Sequence, residues 1–189
     1  MEDQELDQLT EELELRMYFF VPYNISPIQQ AIQAGHAALR YAVTHSTDDT
    51  LKAFVDHHET WVILDGGTTN EELDFDGMPL GTLNQVGEGL SQNGIDFSFF
   101  HEPDLNHALT AVCFICDERV FNKKNYPDFI DYVIEKSLPI EGAAIVRLRL
   151  KSADDLQEEY NSLYKEWVRL VGGVKNVYLR ELLKGKRKA

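Results

Sequence analysis

Polar side chains that could take part in chemistry gather on one predicted helix near the start of the chain. Gln29, Gln33 and His36 are spaced at i, i+4 and i+7, so they project from a single helix face. The apolar run before them, Met17 to Val21, is typical of a strand buried on both faces. A buried strand that leads into a helix with a polar stripe is a common way to build a site at the carboxyl end of a sheet. The alternatives are that the two glutamines face solvent and that the histidine satisfies a carbonyl.

The helix that carries this stripe is predicted to run over about residues 27–44. Ser26 supplies an N-cap hydroxyl, and Pro27 occupies the one helical position where proline is favoured. Its apolar residues are mainly alanines, interspersed with Ile28, Ile32, Leu39 and Val43. The small side chains allow this helix to pack closely on a sheet.

The two cysteines, Cys113 and Cys116, form a Cys-Phe-Ile-Cys sequence that invites a metal or redox interpretation. There is no second such pair, and residues 108–116 are predicted to form a strand, in which side chains three positions apart leave on opposite faces. We therefore expect two buried thiols that act as small hydrophobic residues. The histidines show no metal-ligand spacing either, so we expect no metal and no other cofactor.

Charge divides the chain into two regions. Residues 1–146 hold 7 Lys/Arg and 26 Asp/Glu, whereas residues 147–189 hold 11 Lys/Arg and 6 Asp/Glu, within a net charge of −14. The acidic body should repel polyphosphate, while a basic tail could attract it. The tail residues concerned are Lys184, Lys186, Arg187 and Lys188. The alternative is that this cluster is simply solvated.

Composition indicates a globular protein that is neither secreted nor embedded in a membrane. Of its 189 residues 43% are hydrophobic, and no run reaches the roughly 18 to 20 apolar residues that span a bilayer. The sequence begins with an acidic stretch, the reverse of the basic start of a signal peptide. We expect a cytoplasmic protein with no membrane partner.

Three regions follow from the pattern along the chain. Residues 1–15 form an acidic arm or helix, residues 16–137 an α/β body, and residues 138–189 a strand–helix extension with the basic tail. Residues 126–137 are predicted to form an amphipathic helix with Phe129, Ile130, Val133 and Ile134 inward. In the extension, residues 143–150 alternate as a half-exposed strand does, and a long helix follows up to Gly172-Gly173.

Two motifs give the body a resemblance to a known family. Residues 31–38 resemble the A-x-Q-x-x-H-A-A helix of the peptidyl-tRNA hydrolase 2 family, placed directly after the first strand. Residues 99–105, followed by residues 109–112, resemble the loop and strand that complete the site of that family. The order of elements over residues 16–137 is similar too.

This resemblance implies a mixed, mostly four-stranded sheet with helices on both faces. It also implies metal-free hydrolysis of the ester that joins a peptide to a tRNA. In that reaction His36 would activate or orient water, and Gln33 and Thr110 would donate hydrogen bonds to the oxyanion. Glu102 or Asp104 would polarise the water. Through its basic tail the protein would bind tRNA.

The chain departs from the family pattern at two places. Gln29 stands where the family carries a lysine, and Glu102-Pro103-Asp104-Leu105 replaces a loop that contains an arginine. A neutral amide cannot supply a charge-assisted hydrogen bond, and loss of an oxyanion donor costs roughly 100- to 1,000-fold in rate. The alternative function is therefore a catalytically reduced member of this fold. Such a protein would serve in protein interaction or assembly, with the extension contacting a protein partner or a second copy.

Overall fold

The strand expected from the first apolar run is the first element of the computed structural model, which describes residues 13–137 and 153–189. The predicted strand at residues 143–150 and most of the predicted acidic arm, residues 1–12, lie outside the described residues. Contacts group the chain into two compact units, one formed by residues up to 118 together with 182–189 and the other by residues 119–181. The regions predicted from the sequence, divided at residues 15/16 and 137/138, stay a prediction.

The first unit alternates strands and helices, much as the sequence predicts. In chain order its elements are β1 (Leu15–Pro22), α1 (Pro27–Thr44), α2 (Asp49–Ala53), a π-helix (Phe54–His58), β2 (Thr60–Gly67), α3 (Thr82–Gln92), β3 (Phe97–Glu102), a 3-10 helix (Pro103–Leu105) and β4 (Ala108–Asp117). A short helix, α4 (Glu118–Phe121), begins at the last residue of this segment.

The four strands form one mixed sheet in the order β2-β1-β4-β3. The pair β1 and β2 is parallel, whereas β4 is antiparallel to both β1 and β3. Six consecutive residues of β1, Met17 to Pro22, are buried, which is why the apolar run reads as a strand covered on both faces. The α/β fold with a mixed four-stranded sheet is thereby confirmed.

One face of the sheet is covered by α1, which presents its small residues to the strands. Ala34 and Ala37 are fully buried against Phe19, Ala111 and Cys113. The large aliphatic residues of the same helix point away from the core and are 49–78% exposed: Ile28, Ile32, Leu39 and Val43. The packing of α1 therefore depends on close approach through alanine, together with the buried ring of Tyr41, and not on its large aliphatic side chains.

The opposite face is covered by α3. Leu83 and Leu90 of this helix are fully buried, as are Phe20 and Val112 in the strands that it contacts. The sheet thus carries a helix on each face, as expected from the resemblance.

The second unit is helical in its described part and contains α5 (Phe129–Ser137), α6 (Ala153–Leu170) and most of α7 (Val174–Leu183). Its small core joins Tyr132, Trp167 and Val171. The predicted inward face of α5 is wrong in part, because Ile130 and Ile134 are 73% and 48% exposed. The inward position is taken by Tyr132, which keeps its hydroxyl near the surface, 3.3 Å from Glu166 Oε2.

Hydrogen bonds from Arg180 connect the first residues of the second unit. Its guanidinium donates to the carbonyl oxygens of Arg119 and Tyr126 at 2.6 and 2.9 Å, and to Asp128 Oδ1 at 2.6 Å. Burial opposes ionisation of Asp128, but hydrogen bonds from Lys123 and Arg180 outweigh it and lower the pKa of that carboxyl. In the described ranges no helix has the length and apolar character needed to cross a membrane.

The basic tail pairs with the outer edge of β2. The Asp65 amide donates to Arg187 O at 3.0 Å, the Ala189 amide donates to Ile63 O at 3.1 Å, and Lys188 lies opposite Leu64 in an antiparallel bridge. This main-chain pairing covers an edge strand that would otherwise present unpaired groups. The side chains of the tail remain exposed.

Deletion of residues 187–189 should release this edge. One hydrogen bond contributes about 0.5–1.5 kcal/mol, so we expect the Asp65 amide to exchange its hydrogen roughly 3- to 10-fold faster, measured by NMR. A variant with Lys186, Arg187 and Lys188 changed to Gln keeps the main chain and should exchange at the native rate. Unchanged exchange in the deleted protein would contradict the pairing.

Candidate functional site

Three polar side chains from different elements form a continuous hydrogen-bonded network. Thr110 Oγ1 of β4 donates to Gln33 Oε1 of α1 at 2.8 Å, and Gln33 Nε2 donates to Glu102 Oε2 at the end of β3 at 2.7 Å. Thr110 and Gln33 are buried at 1% and 6% exposure, while Glu102 lies at the surface end. The network therefore leads from the sheet interior to solvent.

A β-bulge explains how Thr110 reaches the helix. The register between β3 and β4 passes from Phe100↔Ala111 to His101↔Leu109, so Thr110 is an extra residue on β4. Neighbouring side chains of a regular strand alternate between the two faces of the sheet, so Thr110 would lie on the face opposite to Ala111 and α1. The bulge instead turns its hydroxyl toward α1, a role that bulges often have beside functional sites. The Phe100 carbonyl lies 3.3 Å from the same hydroxyl.

Glu102 is held as a carboxylate by its neighbours. The hydrogen bond from Gln33 is the main cause that lowers its pKa, followed by the hydrogen bond from the Asp104 amide, through which the Glu102 side chain caps the 3-10 helix, and by an electrostatic interaction with His36. At neutral pH this group is therefore ionised and acts as an acceptor.

His36 stands at the solvent end of the network, on the exposed side of α1. Its ring stacks on Phe100, with 4.4 Å between centroids and 21° between planes. One helical turn further on, the guanidinium carbon of Arg40 lies 5.0 Å from the same Phe100 ring centroid. The ring of Phe100 thus fixes the imidazole and also places a cation beside it.

Phe100 and Arg40 are functional candidates that sequence reasoning missed. Arg40 follows His36 at i+4 and Gln33 at i+7, so the helical spacing alone could have placed it beside the stripe. Phe100 lies within the motif at residues 99–105, but the sequence does not indicate its stack on His36, because the stack depends on how α1 lies across β3.

The remaining predicted site residues lie elsewhere or have another task. Gln29 completes a capping box, with its Oε1 accepting from the Ser26 amide at 3.0 Å. Asp104 is exposed. In the described part of the chain it contacts the network through its backbone amide, which donates to Glu102. The tail bearing Lys184, Lys186, Arg187 and Lys188 runs along β2, whereas Glu102 belongs to β3 at the other edge of the sheet. The structure therefore brings together His36, Gln33, Thr110 and Glu102, and not the tail.

The cysteines and histidines do not build a metal centre in the described ranges. No group of three or more His, Cys, Asp or Glu side chains there could hold an ion. Cys113 and Cys116 are buried free thiols, as predicted, and burial raises the pKa of Cys113 to about 12 and that of Cys116 well above its ordinary value. Both thiols therefore stay protonated, which suits packing and not nucleophilic attack.

Fold and site together define the chain as an α/β protein with a mixed four-stranded sheet and a polar network between its first helix and the β3–β4 pair. Its sequence matches no family model and no curated protein.

Replacing Thr110 with Val should destabilise the first unit, because Gln33 Oε1 loses its donor inside the protein. An unsatisfied buried acceptor costs about 1–3 kcal/mol of unfolding free energy, measurable by urea denaturation. Thr110→Ser keeps the donor and should be closer to the native protein. Equal stability of the Val and Ser variants would show that the hydroxyl does not satisfy Gln33.

The network also predicts how the carboxyl of Glu102 titrates. Its native pKa lies below the ordinary 4.5, so the stabilisation it provides is present at neutral pH and is lost as the pH falls through the native pKa. Replacing Gln33 with Met removes the main cause, and ¹³C NMR should then show the pKa rising toward 4.5. A pKa that does not move would mean that the amide does not stabilise the carboxylate.

Proposed function

We propose that this protein hydrolyses the ester between a peptidyl group and a tRNA, as a member of the peptidyl-tRNA hydrolase 2 family. The observation that carries the proposal is the network from Thr110 through Gln33 to Glu102, which ends beside the exposed imidazole of His36. Ester hydrolysis needs a group that activates water and donors that stabilise the oxyanion. A side chain suited to each task lies in this cluster.

His36 is the group suited to take the proton from water. Its ring is exposed, so water reaches it, and the stack on Phe100 limits its orientation. Glu102 lies close enough for its negative charge to favour the imidazolium that forms as the proton is transferred. This arrangement uses the carboxylate as an electrostatic partner of the base.

Gln33 is the amide suited to bind the oxyanion. One of its two N–H groups is donated to Glu102, and the second has no acceptor in the described part of the chain. Thr110 is too deeply buried to touch a substrate and already donates to Gln33, so its task in this proposal is to position the amide. A positioned donor is worth more than a mobile one because it needs no reorganisation during the reaction.

Arg40 provides a positive charge near the proposed site, which lacks the lysine and the arginine of the family pattern. Its guanidinium lies over Phe100, on the ring that also carries His36. A cation there can bind a phosphate of the tRNA end or strengthen the oxyanion site. The tail supplies further exposed positive charge for the tRNA backbone, at the other edge of the sheet.

The second candidate function is a catalytically reduced protein of this fold that serves in protein interaction or assembly. The observation that favours it is the exposure of Ile28, Ile32, Leu39 and Val43 along α1, since large apolar residues exposed together often mark an interface. Light scattering after size-exclusion chromatography would reveal self-association through this face or through the C-terminal extension.

Hydrolysis is tested with dileucyl-tRNA, following release of the dipeptide. We expect His36→Ala to reduce kcat by roughly 100- to 10,000-fold, the usual contribution of general acid–base catalysis. Arg40→Gln should mainly raise KM if the guanidinium binds phosphate.

The matched control is His107→Asn, which changes an exposed histidine outside the network and suits the positive φ of 58° at that position. It should retain native activity. Absence of turnover above background in the native protein would remove the hydrolase proposal and favour the interaction module.

A further inference from the structure

An apolar cavity of about 520 Å³ opens between α1, the π-helix and the β1–β2 pair of the first unit. Its volume lies within the range of small-molecule sites. The apolar side chains that line it include Met17, Ile32, Leu39, Leu51, Phe54 and Trp61. Ile32, Leu39 and Trp61 are 46–68% exposed, so the cavity is open to ligands.

Two ionisable side chains also line this cavity, His36 and Glu59. The first belongs to the proposed reaction site, so the cavity and that site share a wall. The second is a solvent-exposed acidic residue, and the other lining residues are apolar. A ligand that fills such a cavity should be apolar, with a positively charged group that can approach Glu59.

The backbone at Glu59 is unusual and places this carboxylate. Its φ is 48°, which is uncommon for a residue other than glycine, and its amide donates to Phe54 O to close the π-helix. Single-turn π-helices are rare and occur often at functional sites. The strained conformation fixes where the chain leaves the helix, and thereby where Glu59 meets the cavity.

Gly35 keeps the cavity open from the side of α1. It lies in the middle of a long helix, where glycine is unfavourable, and an added Cβ there would meet no atom within 4 Å. Close packing therefore does not account for this glycine. Any larger side chain at this position would enter the cavity that Gly35 lines.

We infer that the cavity binds an apolar aminoacyl or short peptidyl group whose free ammonium lies toward Glu59 and whose ester carbonyl lies at His36. This assignment deepens the proposed function and rests on it for the identity of the ester. The cavity thus selects apolar acyl groups with a free amine.

The inference is tested by binding, without turnover. Dileucinamide carries the apolar body and the ammonium, N-acetyl-dileucinamide lacks the charge, and diglycinamide lacks the apolar side chains. With 5-fluorotryptophan incorporated, ¹⁹F NMR resolves Trp61 in the cavity from Trp167, which is buried in the second unit and serves as an internal reference. We expect saturable shifts of the Trp61 signal alone, strongest for dileucinamide.

Two variants separate the charge from the apolar contacts. Glu59→Gln should weaken dileucinamide about 2- to 5-fold, the range of an exposed ion pair, and leave the acetylated probe unchanged. Gly35→Phe should fill the cavity and abolish the shift. Should Gly35→Phe lower Tm, Val55→Asn, at a 52% exposed cavity residue, replaces it, and the polar but uncharged side chain should weaken both leucine probes.

The outcomes distinguish this inference from the proposed function. Equal affinity for dileucinamide and its acetylated form, or no shift of Trp61, overturns the inference even if dileucyl-tRNA is hydrolysed. Binding with the expected preferences while dileucyl-tRNA stays intact supports the cavity assignment and counts against the hydrolase proposal alone.

Discussion

The hydrogen bond between Thr110 and Gln33 is the contact on which the site depends. It joins β4 to α1 inside the protein, and through the other end of the amide it fixes Glu102 of β3. Because a glutamine amide is asymmetric and an ionised carboxylate can only accept, Glu102 requires the amide nitrogen of Gln33 on its side. The amide oxygen then faces inward, where Thr110 Oγ1 donates to it. One bulge in β4 makes this possible, since it turns Thr110 toward the helix.

The electrostatics of the site follow from that orientation. A carboxylate that accepts an N–H at 2.7 Å keeps its charge, and its charge acts on the nearby imidazole. Arg40 adds a positive group over the Phe100 ring, so the two charges of opposite sign lie near the imidazole within a body that is acidic overall. Gln29 at the helix start completes the capping box and stabilises the helix N-terminus. In the proposed hydrolase, positive charge comes from Arg40 further along α1.

Much of the fold could be predicted because local patterns decide it. The buried run at Met17–Val21 and the Ser26-Pro27 helix start lead to elements with nearly the predicted bounds. Which residues of α5 face inward was not predictable from apolar character alone, since Tyr132 is buried while Ile130 is exposed. The pairing of the tail with β2 was also beyond the sequence, because main-chain hydrogen bonds leave no mark on a run of lysines and arginine. That a threonine, an amide and a carboxylate meet could be suggested by resemblance, but their connectivity depends on the bulge.

The two faces of α1 account for both the polar network and the cavity. A helix that packs through alanine lies close to its sheet, and this closeness brings Gln33 within reach of β3 and β4. The same packing leaves the large aliphatic residues of α1 exposed. Their apolar surface remains in contact with water in the described part of the chain, which is unfavourable. Gly35 interrupts that outward surface where the cavity lies, beside His36. An apolar group bound there would cover part of this surface and lie next to the imidazole. The exposed apolar surface is unfavourable for the free protein, and binding would remove part of it from water.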